Sequence, residues 1–211
     1  MKRARGTAKN GTRRYTQRAR AAAAGQRRER VLQAAHDLLM TSSWDEVTLE
    51  RVALRADVAV KTVVRQFGSK DALLVDCMRW RVPREAASRA VDPGDVEGAA
   101  HALAERYEEI SPVVARFTPL EDKIPAVAQM LGLARAGHLD WLATVFAPWL
   151  PRRPSALRRA RLAALFGATE MYVWHVWRRR LSWSRRVAQA AMLELLQSLT
   201  ARWTREERKR A

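Results

Sequence analysis

The chain has 211 residues, 48% of them hydrophobic and 29% charged, which is enough apolar mass for one sizeable core or for a small domain beside a larger one, and excludes disorder as the dominant state. A formal net charge of +17 points to a polyanionic partner, because neutralising phosphates releases condensed counterions; on charge alone, nucleic acid and an anionic membrane surface both stay open. Cys77 is the only cysteine, which rules out an intrachain disulfide and a cysteine-based metal cluster and fits a reducing compartment. The arginine-rich N-terminus has no hydrophobic signal core behind it, since 21–24 is too short and too weakly apolar. The longest apolar run, 139–150, is interrupted by Asp140 and Pro148 and falls well short of the roughly 20 residues a spanning helix needs. A cytoplasmic protein with no membrane partner is expected.

In chain order, residues 1–25 mix Lys2, Arg3, Arg5, Lys9, Arg13, Arg14, Arg18 and Arg20 with Gly, Ala and Thr, and read as a flexible basic arm. From Gln26 the pattern turns helical, with Val31, Ala34, Ala35, Leu38 and Leu39 at steps of three and four, ending near Met40. Thr41, Ser42 and Ser43 form a polar break, and Trp44 and Val47 return the chain to the core. Thr48 can cap a short second helix whose buried stripe is Leu49, Val52 and Ala53. A tight turn at 56–58 leads into a third helix over about 59–67. Gly68 and Ser69 then break and re-cap the chain, and a fourth helix runs from Lys70 to about Arg81, stopped by Pro83.

Three short helices with a tight turn and a polar third helix describe a helix-turn-helix, whose last helix enters the major groove of DNA. At about 100° per residue, Val63 and Phe67 share one side of that helix, while Lys61, Thr62, Arg65 and Gln66 crowd the other. Lys61 and Arg65, four apart, can reach one groove and donate to guanine O6 and N7; Gln66 can pair with adenine or a phosphate.

The run from Trp44 to Leu74, WDEVTLERVALRADVAVKTVVRQFGSKDALL, resembles the DNA-binding domain of the TetR family of bacterial regulators, and the likeness extends over about 26–80. Several features agree in order: the Val-Thr entry, the Arg-Val-Ala second helix, the Thr-Val-x-x-x-Phe third helix and the Ser-Lys start of the fourth. The resemblance implies an all-α homodimer, with an N-terminal three-helix helix-turn-helix domain and a C-terminal helical bundle for ligand binding and dimerisation. In such a protein a small effector sets the spacing of two recognition helices. It also implies phosphate contacts by Thr48 and Lys70 and groove-facing positions for Val60, Lys61, Thr62, Val64 and Arg65, with Gln66 where the family often has histidine. Departures occur at Asp57, Ala59, Val64 and Gly68, where the family often has glycine, serine, tyrosine and proline. Val64 cannot make the tyrosine's phosphate bond; it can meet a thymine methyl or simply pack against the motif.

Beyond residue 80 the likeness thins. The chain reads as helical stretches separated by breaks near Pro112, Pro119 and 148–154, with one helix over 126–150 and two long closing helices over 155–180 and 184–204. The division expected is a 1–25 arm, a DNA-binding domain over 26–73, a ligand-binding and dimerisation domain over 74–205, and a charged tail over 206–211. Eight tryptophans are many for this length, and bulky side chains either line a pocket for an apolar ligand or, more commonly, fill a core. Met130, Leu133, Trp141, Met171, Trp174 and His175 are the ligand candidates; the last three are placed by helical spacing on one face. For dimerisation Leu162, Leu165, Phe166, Thr169, Val187, Ala190, Ala191, Glu194, Leu195 and Ser198 offer an apolar, small-residue surface on the helices that pair in the family.

No converging catalytic set appears: His36, His101, His138 and His175 are scattered without metal-ligand spacing, and there is no Gly-rich phosphate loop. Neither an enzyme nor a metal or other cofactor is therefore expected. The expected partners are double-stranded DNA, a small-molecule effector and a second copy of the chain. The function expected is a repressor released from a palindromic operator by an apolar or amphipathic effector; the alternative is a ligand-independent architectural DNA-binding protein of weak sequence preference.

Overall fold

The computed structural model describes residues 7–209, with side chains from residue 19 onward. Among the described residues it is all helical, without a strand, and it divides into two compact units, one ending at Cys77 and the other beginning at Met78. No helix among them is long and apolar enough to cross a membrane.

The first unit opens with α1 (Thr7–Thr41). The expected arm is thus helical from Thr7 onward, while Lys2, Arg3 and Arg5 lie outside the described residues. Alanine and arginine are strong helix formers, so the stretch before Gln26 can extend the helix without any buried face; residues 19–24 are exposed. The apolar stripe begins where the sequence places it, and Val31, Leu32, Ala34, Ala35, Leu38 and Leu39 are buried. They meet Trp44, Val47, Val52 and Ala53 of the following loop and α2 (Leu49–Arg55), Val63 and Phe67 of α3 (Val60–Phe67), and Leu73, Leu74 and Cys77 of α4 (Lys70–Ser88). Polar clamps fix the edges. Arg28 pairs with Asp76 at 2.8 Å and lies 4.7 Å above the Phe67 ring, and Arg55 reaches Asp37 at 3.1 Å. Burial pushes the Asp37 carboxyl up, but hydrogen bonds from Gln33 and Arg55 outweigh it and hold the group below its ordinary range.

In the second unit, α4 does not stop near Arg81. It continues through Pro83 to Ser88, because its last turns are held from outside: Glu85 pairs with Arg106 at 2.9 Å, and Val82 stands so close to Gly137 that a Cβ there would meet its Cγ1 at 2.2 Å. Helix α5 (Val96–Phe117), capped by Asp95, likewise runs through Pro112. It is the central helix of this unit, burying Ala99, Ala100, Leu103, Ala104, Tyr107 and Ile110, and it packs on α8 (Met171–His175) and α9 (Arg185–Arg208). Helix α6 (Pro125–Val145) takes proline at its first turn, where no N–H is needed, and gives way before Pro148 to a 3₁₀ turn at Ala147–Trp149.

The helix expected over 155–180 is broken. Helix α7 (Ala156–Ala168) ends after Gly167, at Thr169, whose hydroxyl donates back to the Leu165 carbonyl at 2.8 Å. Glu170 then caps α8 (Met171–His175) by accepting the Tyr172 N–H. The residues after it, Val176–Arg180, wind as a π-helix. Arg178 is held there by the Glu108 carboxylate on α5 at 2.6 and 2.9 Å, which also keeps Glu108 below the usual carboxylate range. Helix α9 (Arg185–Arg208) absorbs Glu206, Glu207 and Arg208 of the expected tail, and residues 210–211 lie outside the described part. Glu207 pairs at 2.7 Å with Arg161, which is only 2% exposed, also donates to the Trp149 carbonyl and lies 5.1 Å from the Trp203 ring.

Candidate nucleic-acid interface

Thr48 sits in extended conformation at the start of α2, its hydroxyl accepting the Arg51 N–H at 3.3 Å, as a capping threonine does. Arg51, which the sequence pattern did not single out, braces the preceding loop by donating to the Glu46 carbonyl at 2.6 Å and the Ser42 hydroxyl at 3.3 Å. The turn from α2 to α3 passes through Asp57 at φ 53°, the left-handed region that explains a preference for glycine there and that aspartate tolerates better than most residues. Ala59 offers α3 no side-chain cap. At the other end Gly68 takes φ 80°, which proline's ring forbids, so this turn is built differently from one carrying proline.

Between these turns α3 has two opposite faces. Val63 is 0% and Phe67 8% exposed, whereas Val60 is 36% and Val64 44% exposed. Lys61 and Arg65 are exposed, and Thr62 and Gln66 are half-buried at the flanks. One turn of helix separates Lys61 from Arg65, so the outward side offers two cations about 6 Å apart along the axis, with two valines beside them. The six positions expected on the reading helix therefore lie off its buried stripe.

Lys70 opens α4 but is tied down: its Nζ donates to the Trp44 carbonyl at 2.6 Å and stands 4.3 Å from the Trp44 ring. Burial lowers its pKa, and Asp45 and Asp71 only partly offset this. An ammonium has three donors, so its remaining N–H groups are still available for a phosphate. Leu54, 84% exposed on α2, was also passed over; it falls beside the Val52, Ala53 and Ala56 stripe, which helical spacing alone could have revealed.

The ligand candidates of the second unit are not gathered around one opening. Met130, Trp141 and Trp174 are buried, and Leu133, Met171 and His175 half-buried. Trp174 packs edge-on to Tyr107 and donates to Glu108 at 3.1 Å, while Trp141 donates to the Arg89 carbonyl at 3.1 Å and stacks on His138. His175 parts from Trp174, turning instead to an open groove of about 590 Å³ that it lines with Pro112, Ala115, Arg116, Arg179 and Arg180. Burial, then Arg180 and Arg179, lower its pKa.

Among the dimer candidates, Leu165 and Thr169 are 0% and 1% exposed and serve the chain's own core, which removes them from any surface a partner could touch. Leu162, Phe166 and Ala191 are half-buried, and Val187, Ala190, Glu194, Leu195 and Ser198 are exposed along α9. The sequence reading missed a polar cluster inside the second unit, made by Glu85, Arg89, Arg106, Tyr107, His138 and Thr169 from four elements.

Residues 31–77 match the family model described as bacterial regulatory proteins, tetR family. No curated protein matches the chain. Solved structures with the same fold include one described as a TetR-family transcriptional regulator of Mesorhizobium loti MAFF303099, 12% identical over 84% of this chain and 96% of that one, with a TM-score of 0.58. A transcriptional regulator from Rhodococcus sp. Rha1 is 18% identical over 82% and 95%, with a TM-score of 0.57. The fatty acid degradation regulator FadR from Bacillus halodurans is 15% identical over 80% and 96%, with a TM-score of 0.55.

Proposed function

We propose that this chain, whose residues 31–77 match the family model of bacterial regulatory proteins, tetR family, is a homodimeric repressor that reads a palindromic operator and is released from it by a small apolar or amphipathic effector. One observation carries this reading. Helix α3 keeps Val63 and Phe67 inside and turns Lys61, Arg65, Val60 and Val64 outward, leaving donors for guanine and methyl contacts for thymine on one exposed face. Thr48 and Lys70, at the starts of α2 and α4, take the phosphates that fix the reading helix in the groove. The site of action is then the cytoplasm, where the operator is.

Dimerisation is supported by where the exposed apolar side chains fall. Leu157, Tyr172, Val173, Val187 and Leu195, each at least 37% exposed, all lie on α7 to α9. Along α9, Val187, Ala190, Ala191, Glu194, Leu195 and Ser198 recur at three- and four-residue steps, giving a face of small and apolar side chains on which a second copy can pack. A two-fold dimer places two copies of α3 on half-sites about 34 Å apart or a multiple of that. An apolar effector accords with the second unit's helical core and with a solved relative that regulates fatty acid degradation.

Fluorescence anisotropy of the purified chain on its own upstream DNA and on a scrambled duplex, over a salt series, tests the reading. At moderate salt the upstream fragment is expected to bind about a thousandfold more tightly or better. Equal, steeply salt-dependent binding to both would instead describe an architectural protein.

A further inference from the structure

The outward face of α3 leaves the most strongly charged part of the chain without a role. Residues 1–25 carry Lys2, Arg3, Arg5, Lys9, Arg13, Arg14, Arg18 and Arg20 and no acidic residue, so eight of the 17 surplus charges fall there. No pair of opposite charges can form within the stretch. Before Val31 the only large apolar side chains are those of Met1 and Tyr15, so the sequence has no stripe with which this part could join a core. Yet the backbone is helical from Thr7, continuous with the part of α1 that the core holds, and residues 19–27 are exposed. A helix with no apolar stripe and with charges of one sign gains nothing from packing and repels itself, and a polyanion alongside relieves that repulsion.

Helical spacing sets Lys9, Arg13, Arg20 and Arg27 on one line along α1, within about 40° of one another, and Arg14 and Arg18 on the other side. From Lys9 to Arg27 the line runs about 27 Å, the length of about eight base pairs of duplex. Arg28, the next residue, lies 4.7 Å from the ring of Phe67, the last residue of α3, so the extension leaves the first unit beside the end of the reading helix. We propose that the extended start of α1 is a second DNA-binding element, which lays this line of cations against the phosphates flanking the site that α3 reads. The proposal rests on the DNA-binding reading above and deepens it. Helix α3 supplies sequence preference, and the extension supplies affinity that is indifferent to sequence and steep in salt. A helix that lies on a membrane surface needs an apolar side as well as a basic one, and this stretch lacks it.

Two full-length variants that lose the same number of charges in different places test the proposal. One carries Lys9→Gln, Arg13→Gln, Arg20→Gln and Arg27→Gln; the other carries Arg152→Gln, Arg153→Gln, Arg159→Gln and Arg186→Gln, at exposed positions of the second unit. Glutamine favours helix about as well as lysine or arginine, so the backbone of α1 is kept. Anisotropy on a scrambled duplex over a salt series needs no knowledge of the operator. The α1 variant should make the slope of log affinity against log salt shallower by about 2–4, about 0.9 for each phosphate contact given up, and the second-unit variant by less than about 1. An unchanged slope in the α1 variant, an equal change in both variants, or no duplex binding by the unaltered chain would overturn the proposal. So would loss of binding to phosphatidylglycerol vesicles by the α1 variant with its DNA slope intact, which would assign the extension to a membrane. Upstream DNA is titrated beside the scrambled duplex. A preference for it with no change of slope removes this proposal alone, whereas the change of slope without any preference keeps the extension as a DNA-binding element and removes the regulator reading.

Discussion

The two units of this chain handle polarity in opposite ways. In the first, apolar side chains close the core, and the ion pairs that brace it, Arg28 with Asp76 and Arg55 with Asp37, are at its surface with side chains 30% to 53% exposed. In the second, charge goes inside: Arg161 is 2% exposed, Arg106 is 13% exposed in its side chain, and Tyr107, buried enough that its hydroxyl is pushed well above its ordinary pKa, bonds to a backbone carbonyl of the α7–α8 break. Surface ion pairs contribute little and tolerate change, while buried polar groups are costly unless each is matched. A unit that must present one helix face unchanged is well served by the first design. The second design holds its helices through specific pairs between residues distant in sequence, each of which must be matched for the interior to be stable.

The largest effect that separates the designs is expected in the first unit. Phe67→Ala removes a buried ring from beneath α3 and the face on which Arg28 rests, and should cost about 3–5 kcal/mol in chemical denaturation, taking DNA binding with it. A loss under about 1 kcal/mol would mean that the recognition helix is held by something other than this core.

A smaller effect, confined to the second unit, is a pH dependence. Burial, then the nearby Arg89, lower the His138 pKa to about 3, so the folded chain refuses a proton that the unfolded chain accepts near 6.5. Its contribution to stability is complete above about pH 6.5 and is lost as the pH falls from there toward 3. Between pH 7.5 and 5 this amounts to about 2 kcal/mol, and His138→Gln should remove most of that slope. An unchanged slope would place the acid sensitivity elsewhere.

The same contrast explains how much was legible in the sequence. In the first unit the burial pattern follows local spacing: Val63 and Phe67 four apart face inward, Lys61 and Arg65 four apart face outward, and Thr48 caps the helix it precedes. Periodicity carries that information directly. The extension of α1 back to Thr7 was hidden because Ala and Arg can be helical without any apolar stripe to announce it. Pro83 and Pro112 read as stops, yet both sit inside helices whose neighbouring turns are held by partners distant in sequence, as Glu85 is by Arg106. Arg161 looks like any surface arginine until Glu207, 46 residues later, is placed beside it. The cluster of Glu85, Arg106, Tyr107, His138 and Thr169 was invisible for the same reason, since its members come from distant parts of the chain and no spacing rule brings them together.

The central claim is that α3 reads base sequence through its outward face. The most direct measurement is anisotropy of the Lys61→Ala, Arg65→Ala double variant on upstream and scrambled duplexes at fixed salt, beside the unaltered chain. Each lost base contact should cost about 1–3 kcal/mol, so the upstream fragment is expected to bind about thirtyfold to more than about ten thousandfold more weakly, with scrambled DNA much less affected. If the double variant still prefers the upstream fragment by the same factor as the unaltered chain, α3 is not the reading helix and the account fails.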